Sequence, residues 1–225
     1  MVGAPTEQAV AVRALCLTAI AAAGAYATVL RAEPEAFDEV AEATAELTEW
    51  LEEDGLEPSL SADERALLGV PLEEWSEEQR IAAASRGESL GVLLWALSIV
   101  ADLPAWDEPF DAVDLAPLGE TPEELLERAT LRTGDELERA RDLAELWEWR
   151  AFAAGGDLDV LGGTARAAYD AGDIPAPIDG DFPAFAKAYR VLEPEERALA
   201  GAIAAERRLA LAWLCGQPAE WTIAG

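Results

Sequence analysis

The segment Leu90-Gly-Val-Leu-Leu-Trp-Ala-Leu-Ser-Ile-Val-Ala101 carries no charged side chain. Read as a helix it is apolar all round, and a helix apolar all round is buried all round. Other elements must therefore cover it on every side. Just upstream, Arg86 shares a face with Leu90, Leu93 and Leu97, while Glu88 lies with Val92, Trp95 and Ile99. The end of the chain repeats the arrangement, with Glu206 and Arg207 leading into Leu209-Ala-Leu-Ala-Trp-Leu-Cys215. Charges placed where a core begins must be paired, or each costs several kcal/mol. Reciprocal pairs, Arg86 with Glu206 and Glu88 with Arg207, are expected. The functional variant of the same four residues is a polar pocket for a small ligand.

Helix signals run from end to end. Thr6 can cap a helix reaching about Arg31; Pro34 opens a second, and Gly55 lies just past its end. Ser61 with Glu64 and Ser76 with Gln79 are capping-box patterns, the first for a short helix stopping near Gly69, the second for a long one reaching about Ala101. Thr121-Pro122-Glu123-Glu124 and Thr133 with Glu136 mark two more, the latter ending at Gly155-Gly156. A short helix is expected around 164–171 and a final one from Pro194 to Cys215, ended by Gly216 and Pro218. Residues 103–120, with Pro104, Pro109 and Pro117, read as an ordered loop. Residues 173–192 carry Pro175, Pro177, Gly180 and Pro183, then Phe185, Tyr189 and Val191, and are the candidate for a short extended pair. The fold expected is predominantly all-α: one compact orthogonal helical domain over 1–225, with a short β-hairpin near 174–192. Residues 157–225 are the one candidate subdomain.

Composition narrows the functional classes. The formal net charge is −29, which in an apolar-poor chain would suggest disorder, but 51% of residues are hydrophobic, enough for a sizeable core. Such a surface repels DNA, RNA and anionic lipid at long range and attracts basic proteins. Lys187 is the only lysine among the basic residues, so the acidity can also reflect a GC-rich genome or a salt-adapted cytoplasm. The chain has no histidine, which removes Ser-His-Asp and Cys-His catalysis and imidazole metal sites. Cys16 and Cys215 each sit in apolar helical stretches, where free cysteine behaves as a small buried hydrophobe, and so sparse a usage fits a reducing compartment. Residues 14–30 are uncharged and Ala25-Tyr26-Ala27 imitates a cleavage site. The preceding segment has only Arg13 as a positive charge, beside Glu7, so a buried first helix is expected rather than a signal peptide or membrane span.

Two further features stand out. On the helix after Pro34, Glu35, Glu39, Glu42, Glu46, Glu49 and Glu53 alternate four and three apart, which puts all six on one face. Phe37, Val40, Thr44, Leu47 and Leu51 share the rhythm on another face. No basic residue falls between Glu33 and Glu57. The stripe is either a solvated face or a docking face for a basic partner, with Trp50 beside it as a contact residue; a metal-binding strip is the remaining use. Eight tryptophans are present, and Trp147 and Trp149, two apart on a helix, cannot share a face, so one of them is expected at the surface. Gly162-Gly163-Thr164 is too short for a phosphate loop, and no motif for a cofactor or a metal is present.

Arg86-Gly-Glu88 followed by Leu93-Leu94-Trp95-Ala96-Leu97 resembles the middle motif of domain-of-unknown-function family 4272, a largely bacterial group. So do Asp179-Gly-Asp-Phe182 with Lys187-Ala-Tyr189, and the run from Glu206 to Trp213-Leu214. The resemblance spreads from about Arg13 to Trp221. It implies one compact helical domain and no established activity. The family's last motif is expected to hold His and Asn where this chain has Arg208 and Ala212, so chemistry using those groups would not carry over.

The expectation is a non-catalytic, cytoplasmic protein that binds a basic protein through the helix over 34–54, in an immunity- or antitoxin-like role or within an assembly. The alternatives are an enzyme or small-ligand binder at Arg86, Glu88, Glu206 and Arg207, and a DNA mimic whose carboxylates imitate phosphate spacing. Direct nucleic-acid or membrane binding is not expected.

Overall fold

The computed structural model describes residues 3–110, 117–153, 157–218 and 221. Helix α1 spans Glu7–Ala32 and begins at Thr6, whose hydroxyl accepts the Ala9 amide at 3.2 Å. A 3-10 turn over Pro34–Ala36 leads into α2, Phe37–Glu53. Capping boxes at Ser61 and Ser76 open α3 (Ala62–Leu68) and α4 (Glu77–Ala96). Two more, at Thr121 and Thr133, open α5 (Pro122–Glu127) and α6 (Gly134–Phe152). Each box closes two of the amides that a helix start leaves without partners. Then follow α7 (Leu158–Asp170), the strands β1 (Pro183–Ala184) and β2 (Lys187–Ala188), and α8 (Pro194–Leu214). The fold is predominantly all-α with one short β-hairpin.

Two boundaries differ from expectation. Helix α4 stops at Ala96, not near Ala101, because its last carbonyls are taken by another segment. The Arg132 amide donates to Ala96 O, the Thr130 amide to Leu97 O, and Arg132 Nε to Trp95 O, while Ser98 turns left-handed at φ 58°. Helix α7 begins at Leu158, six residues before the expected start, with the Asp157 carboxylate accepting the Asp159 amide. Gly162 and Gly163 are thus interior to a helix. The expected helix end at Gly155-Gly156 lies outside the described residues.

In the hairpin, Pro183 pairs with Ala188 and Ala184 with Lys187, and the turn residues Phe185 and Ala186 both adopt positive φ. Left-handed backbone is uncommon at a bulky residue. Here it is held by the Asp107 carboxylate, which accepts the Phe185 amide.

Helix α1 lies along α4, α4 against α8, and α8 against α6. The first contact is close. A Cβ added at Gly24 would stand 2.6 Å from the Ala84 nitrogen, so only glycine fits there. Around α1 and α4, Leu15, Leu17, Ile20, Leu90, Leu93 and Leu94 form the main core with Leu211 and Leu214. A second cluster gathers Trp147, Ile174, Phe182, Tyr189, Leu192 and Ala200, from α6, α8 and the segment between them. It draws on both sides of residue 157. Helix α1 is long and apolar enough to cross a membrane, and 72% of its apolar window is buried inside the fold. Packing against α4 accounts for that apolarity.

Candidate functional site

The four core-edge charges meet between α4 and α8. Arg86 Nη1 donates to both carboxylate oxygens of Glu206 at 2.9 Å, and Ser89 Oγ donates to Glu206 Oε2 at 2.7 Å. Arg207 Nε donates to Glu88 Oε2 at 2.8 Å. Arg207 has no solvent exposure, and its remaining nitrogens hold the loop before Phe110: Nη1 donates to Pro104 O (2.7 Å) and Nη2 to Glu108 O (2.8 Å). Its guanidinium also lies 5.2 Å from the Trp106 ring and 5.0 Å from Phe110. Burial pushes the Arg207 pKa down while the Glu88 charge and hydrogen bond oppose it. Glu88 Oε1 accepts the Phe110 amide at 2.7 Å. Both oxygens of Glu88 and all three nitrogens of Arg207 are therefore engaged. Groups so occupied brace α4, α8 and the loop over 104–110 together.

Two more buried pairs stand elsewhere. Arg13 in α1 holds Glu64 in α3 through both guanidinium termini, with Nη1 to Oε2 at 2.8 Å. Burial pushes the Glu64 carboxyl up, but the Arg13 hydrogen bonds and charge and the Ser61 amide and hydroxyl outweigh it and hold it below the usual range. The Trp221 ring covers the pair, 4.3 Å from the Arg13 guanidinium and 5.9 Å from that of Arg86, and its carbonyl accepts from Ser61 Oγ at 3.0 Å. In the second cluster, Arg150 binds Asp181 with two hydrogen bonds of 2.7 Å. Asp181 also accepts the Phe182 and Arg190 amides at 2.8 and 2.9 Å. Its burial too is outweighed, by the Arg150 hydrogen bonds first, so its carboxyl is held low.

The acidic stripe is on the surface. Glu35, Glu39, Glu42, Glu46, Glu49 and Glu53 are all exposed, and no ion pair to any of them occurs among the described residues. Trp50 is not part of that face. It is 9% exposed, packs in the main core with Val40, Leu47 and Leu51, and donates its indole N–H to Glu120 O at 3.0 Å. Phe37, expected inside, is half exposed. Of the α6 tryptophans, Trp147 is 2% exposed and Trp149 38%. No group of three or more carboxylates or thiols is arranged to hold a metal ion among the described residues.

A cleft of about 560 Å³ opens between the end of α1, the first half of α4 and the first half of α8. Ile81, Leu199, Phe110 and Ile203 line it, with Arg31, Arg80 and Glu77 as its outer charges and Glu88 touching its floor.

Residues 2–158 match the family described as a domain of unknown function (DUF4272). The chain belongs to that family. No curated protein and no solved structure matches it. The DUF4272 match takes in α1 to α6, and so contains Arg86 and Glu88, while Glu206 and Arg207 lie beyond it. The braced pairs thus join the DUF4272 region to the α8 that follows. The segments Asp179–Tyr189 and Glu206–Trp213, which the resemblance also drew on, fall outside the matched span. At the two departing positions, Arg208 ties α8 to α6 through Glu148 (Nε–Oε2 2.6 Å), and Ala212 is buried in packing. The Arg13–Glu64 pair of this DUF4272 chain had one sequence signal, a single charge inside an otherwise apolar helix, which requires a partner. Arg150 had none, since α6 is rich in charge throughout.

Proposed function

We propose that this protein is a non-catalytic, cytoplasmic binding protein that receives a basic protein on the acidic face of α2. The observation that carries the reading is the row of six exposed carboxylates with no counter-charge among the described residues. Like charges four apart on a helix repel by about 0.2–0.5 kcal/mol per pair, and a partner presenting Lys and Arg at matching spacing would relieve that repulsion on binding. An immunity- or antitoxin-like pairing, or a place in a larger assembly, fits such a surface; a partner that itself binds DNA is one form of the same class. The occupation of every polar atom in the Glu88–Arg207 pair favours binding over catalysis. Both cysteines are free, with Cys16 buried, in keeping with a reducing compartment. A small-ligand role is the second reading, favoured by the cleft that reaches Glu88.

The test is capture of partners from host lysate at low and high salt, read by mass spectrometry, with wild type beside a variant reversing Glu39, Glu42, Glu46 and Glu49 to lysine. A stoichiometric basic protein, lost at high salt and lost with the reversed helix, is expected. Retention by the reversed helix would remove α2 as the contact.

A further inference from the structure

The cleft between α1, α4 and α8 differs from the rest of this surface. Ile81 is 59% exposed at its edge and Leu199 is exposed opposite, while Phe110 and Ile203 lie deeper. Single exposed apolar side chains need no explanation, but these converge on one hollow large enough for a small organic molecule. Arg31 and Arg80 line it, and both also line an adjoining hollow of about 270 Å³ walled by Leu30, Phe37 and Leu72. The two arginines are therefore shared by both hollows.

Their electrostatic situation is unusual for this chain. Acidic residues number 45 against 16 basic ones, and most arginines have a carboxylate partner. Among the described residues, Arg31, Arg65, Arg80 and Arg197 have none, and two of those four face this cleft. Arg31 makes no hydrogen bond there, and Arg80 makes one, from Nη1 to Trp75 O at 2.6 Å. The nearby carboxylates do not complete them. Glu88 is engaged by Arg207 and the Phe110 amide, and Glu77 and Glu73 each line one hollow without pairing to either arginine. Donors of a charge-assisted bond beside an apolar wall are matched by a ligand that has both parts.

We propose that this cleft binds an amphipathic organic anion, a small molecule with an apolar body and one carboxylate or sulfonate. The body lies against Ile81, Phe110 and Ile203, and the charge is held by Arg31 and Arg80. The site uses none of the α2 carboxylates and stands apart from the protein-binding reading.

The experiment is a fluorescence titration with 8-anilinonaphthalene-1-sulfonate, which has an aromatic body and one sulfonate, followed by displacement with decanoate, decanol and decyltrimethylammonium. Saturable binding, displacement by decanoate and a much weaker effect of the cation are expected. Arg31→Gln should weaken decanoate about tenfold and leave decanol unchanged, as expected for one charge-assisted bond. Ile81→Asp should weaken the probe by at least about tenfold, the size of effect expected from placing a like charge in the site. Both positions are exposed, so the melting midpoint should not move. Absence of saturable binding at millimolar probe, displacement by the cation as good as by decanoate, or variants that bind like wild type would each overturn the proposal. The lysine-reversed α2 variant should bind the probe as wild type does, which separates failure here from failure of the partner reading.

Discussion

Glu88→Ala removes the carboxylate that pairs with Arg207, an arginine that has no solvent exposure. Two costs follow. Arg207 keeps its hydrogen bonds to the carbonyls of Pro104 and Glu108 but loses its counter-charge, and stripping one partner from a buried pair costs about 3–5 kcal/mol. The Phe110 amide, which donated to Glu88 Oε1 at 2.7 Å, is left without its acceptor, for about 1–3 kcal/mol more. The two overlap, because a loosened loop lets water reach both groups, so about 3–5 kcal/mol is the expected total. For a chain of this length that lowers the melting midpoint by about 6–20 °C. The assay is thermal unfolding by circular dichroism with urea titration as the cross-check. The companion variant, Glu88→Leu with Arg207→Met, removes both charges. It should be more stable than Glu88→Ala alone, because no charge is left buried without its opposite. A midpoint for Glu88→Ala within about 2 °C of wild type, a shift below about 1 kcal/mol, would refute the reasoning. A double variant whose loss equals the sum of its single losses would refute the coupling.

Trp221→Ala should cost about 1–3 kcal/mol through lost cation–π contacts to Arg13 and Arg86 and lost apolar cover, read as a urea midpoint; no change would mean the ring is not seated there in solution. Glu64 and Asp181 have folded-state pKa values below those of the unfolded chain, so their contribution is fully present above about pH 4 and is lost as pH falls through the folded values. Asp181→Asn should therefore flatten the acid limb of stability against pH, measured as urea midpoints from neutrality downward. An acid limb as steep as that of wild type would count against the depressed carboxyl. Burial pushes the Cys16 thiol up to about 11, so iodoacetamide at mildly alkaline pH should label half-buried Cys215 first and Cys16 only on unfolding, with labelled peptides identified by mass spectrometry. Equal labelling of both in the native protein would contradict the burial of α1.

Helix starts were the most legible part of the fold, because a capping box is written within four residues and asks nothing of distant chain. Ser61, Ser76, Thr121 and Thr133 all open helices where the sequence places them. Helix ends were less legible. The stop of α4 at Ala96 depends on Thr130 and Arg132, more than thirty residues away, which take its last carbonyls. Trp50 read as a surface residue because it neighbours Glu49 and Glu53, yet it falls on the Leu47 and Leu51 side of α2 and meets Glu120 O across seventy residues. The cleft was not legible at all. Its wall comes from α1, α4, α8 and the loop at Phe110, and none of those segments carries a local pattern that marks it. Arg86, Glu88, Glu206 and Arg207 were legible for one reason: each is a charge next to a run that permits none.

The four buried pairs share another property, the distance along the chain that each one spans. Arg13–Glu64, Arg86–Glu206, Arg207–Glu88 and Arg150–Asp181 span 51, 120, 119 and 31 residues of chain. Each joins two different elements: α1 to α3, α4 to α8 twice, and α6 to the segment before the hairpin. An apolar contact between helices can slide by a residue or a turn at little cost, since one leucine replaces another. A buried arginine paired with a carboxylate cannot, because a shifted register leaves a charge buried without its opposite. With Leu and Ala repeated along α1, α4 and α8, apolar packing alone leaves several registers close in energy. The buried pairs remove that degeneracy, and this is the role we assign to them. The Glu88→Leu, Arg207→Met variant tests that assignment directly: it should stay folded while hydrogen exchange along α8 and the loop over 104–110 speeds up. Exchange there unchanged from wild type would leave apolar packing sufficient to set the register.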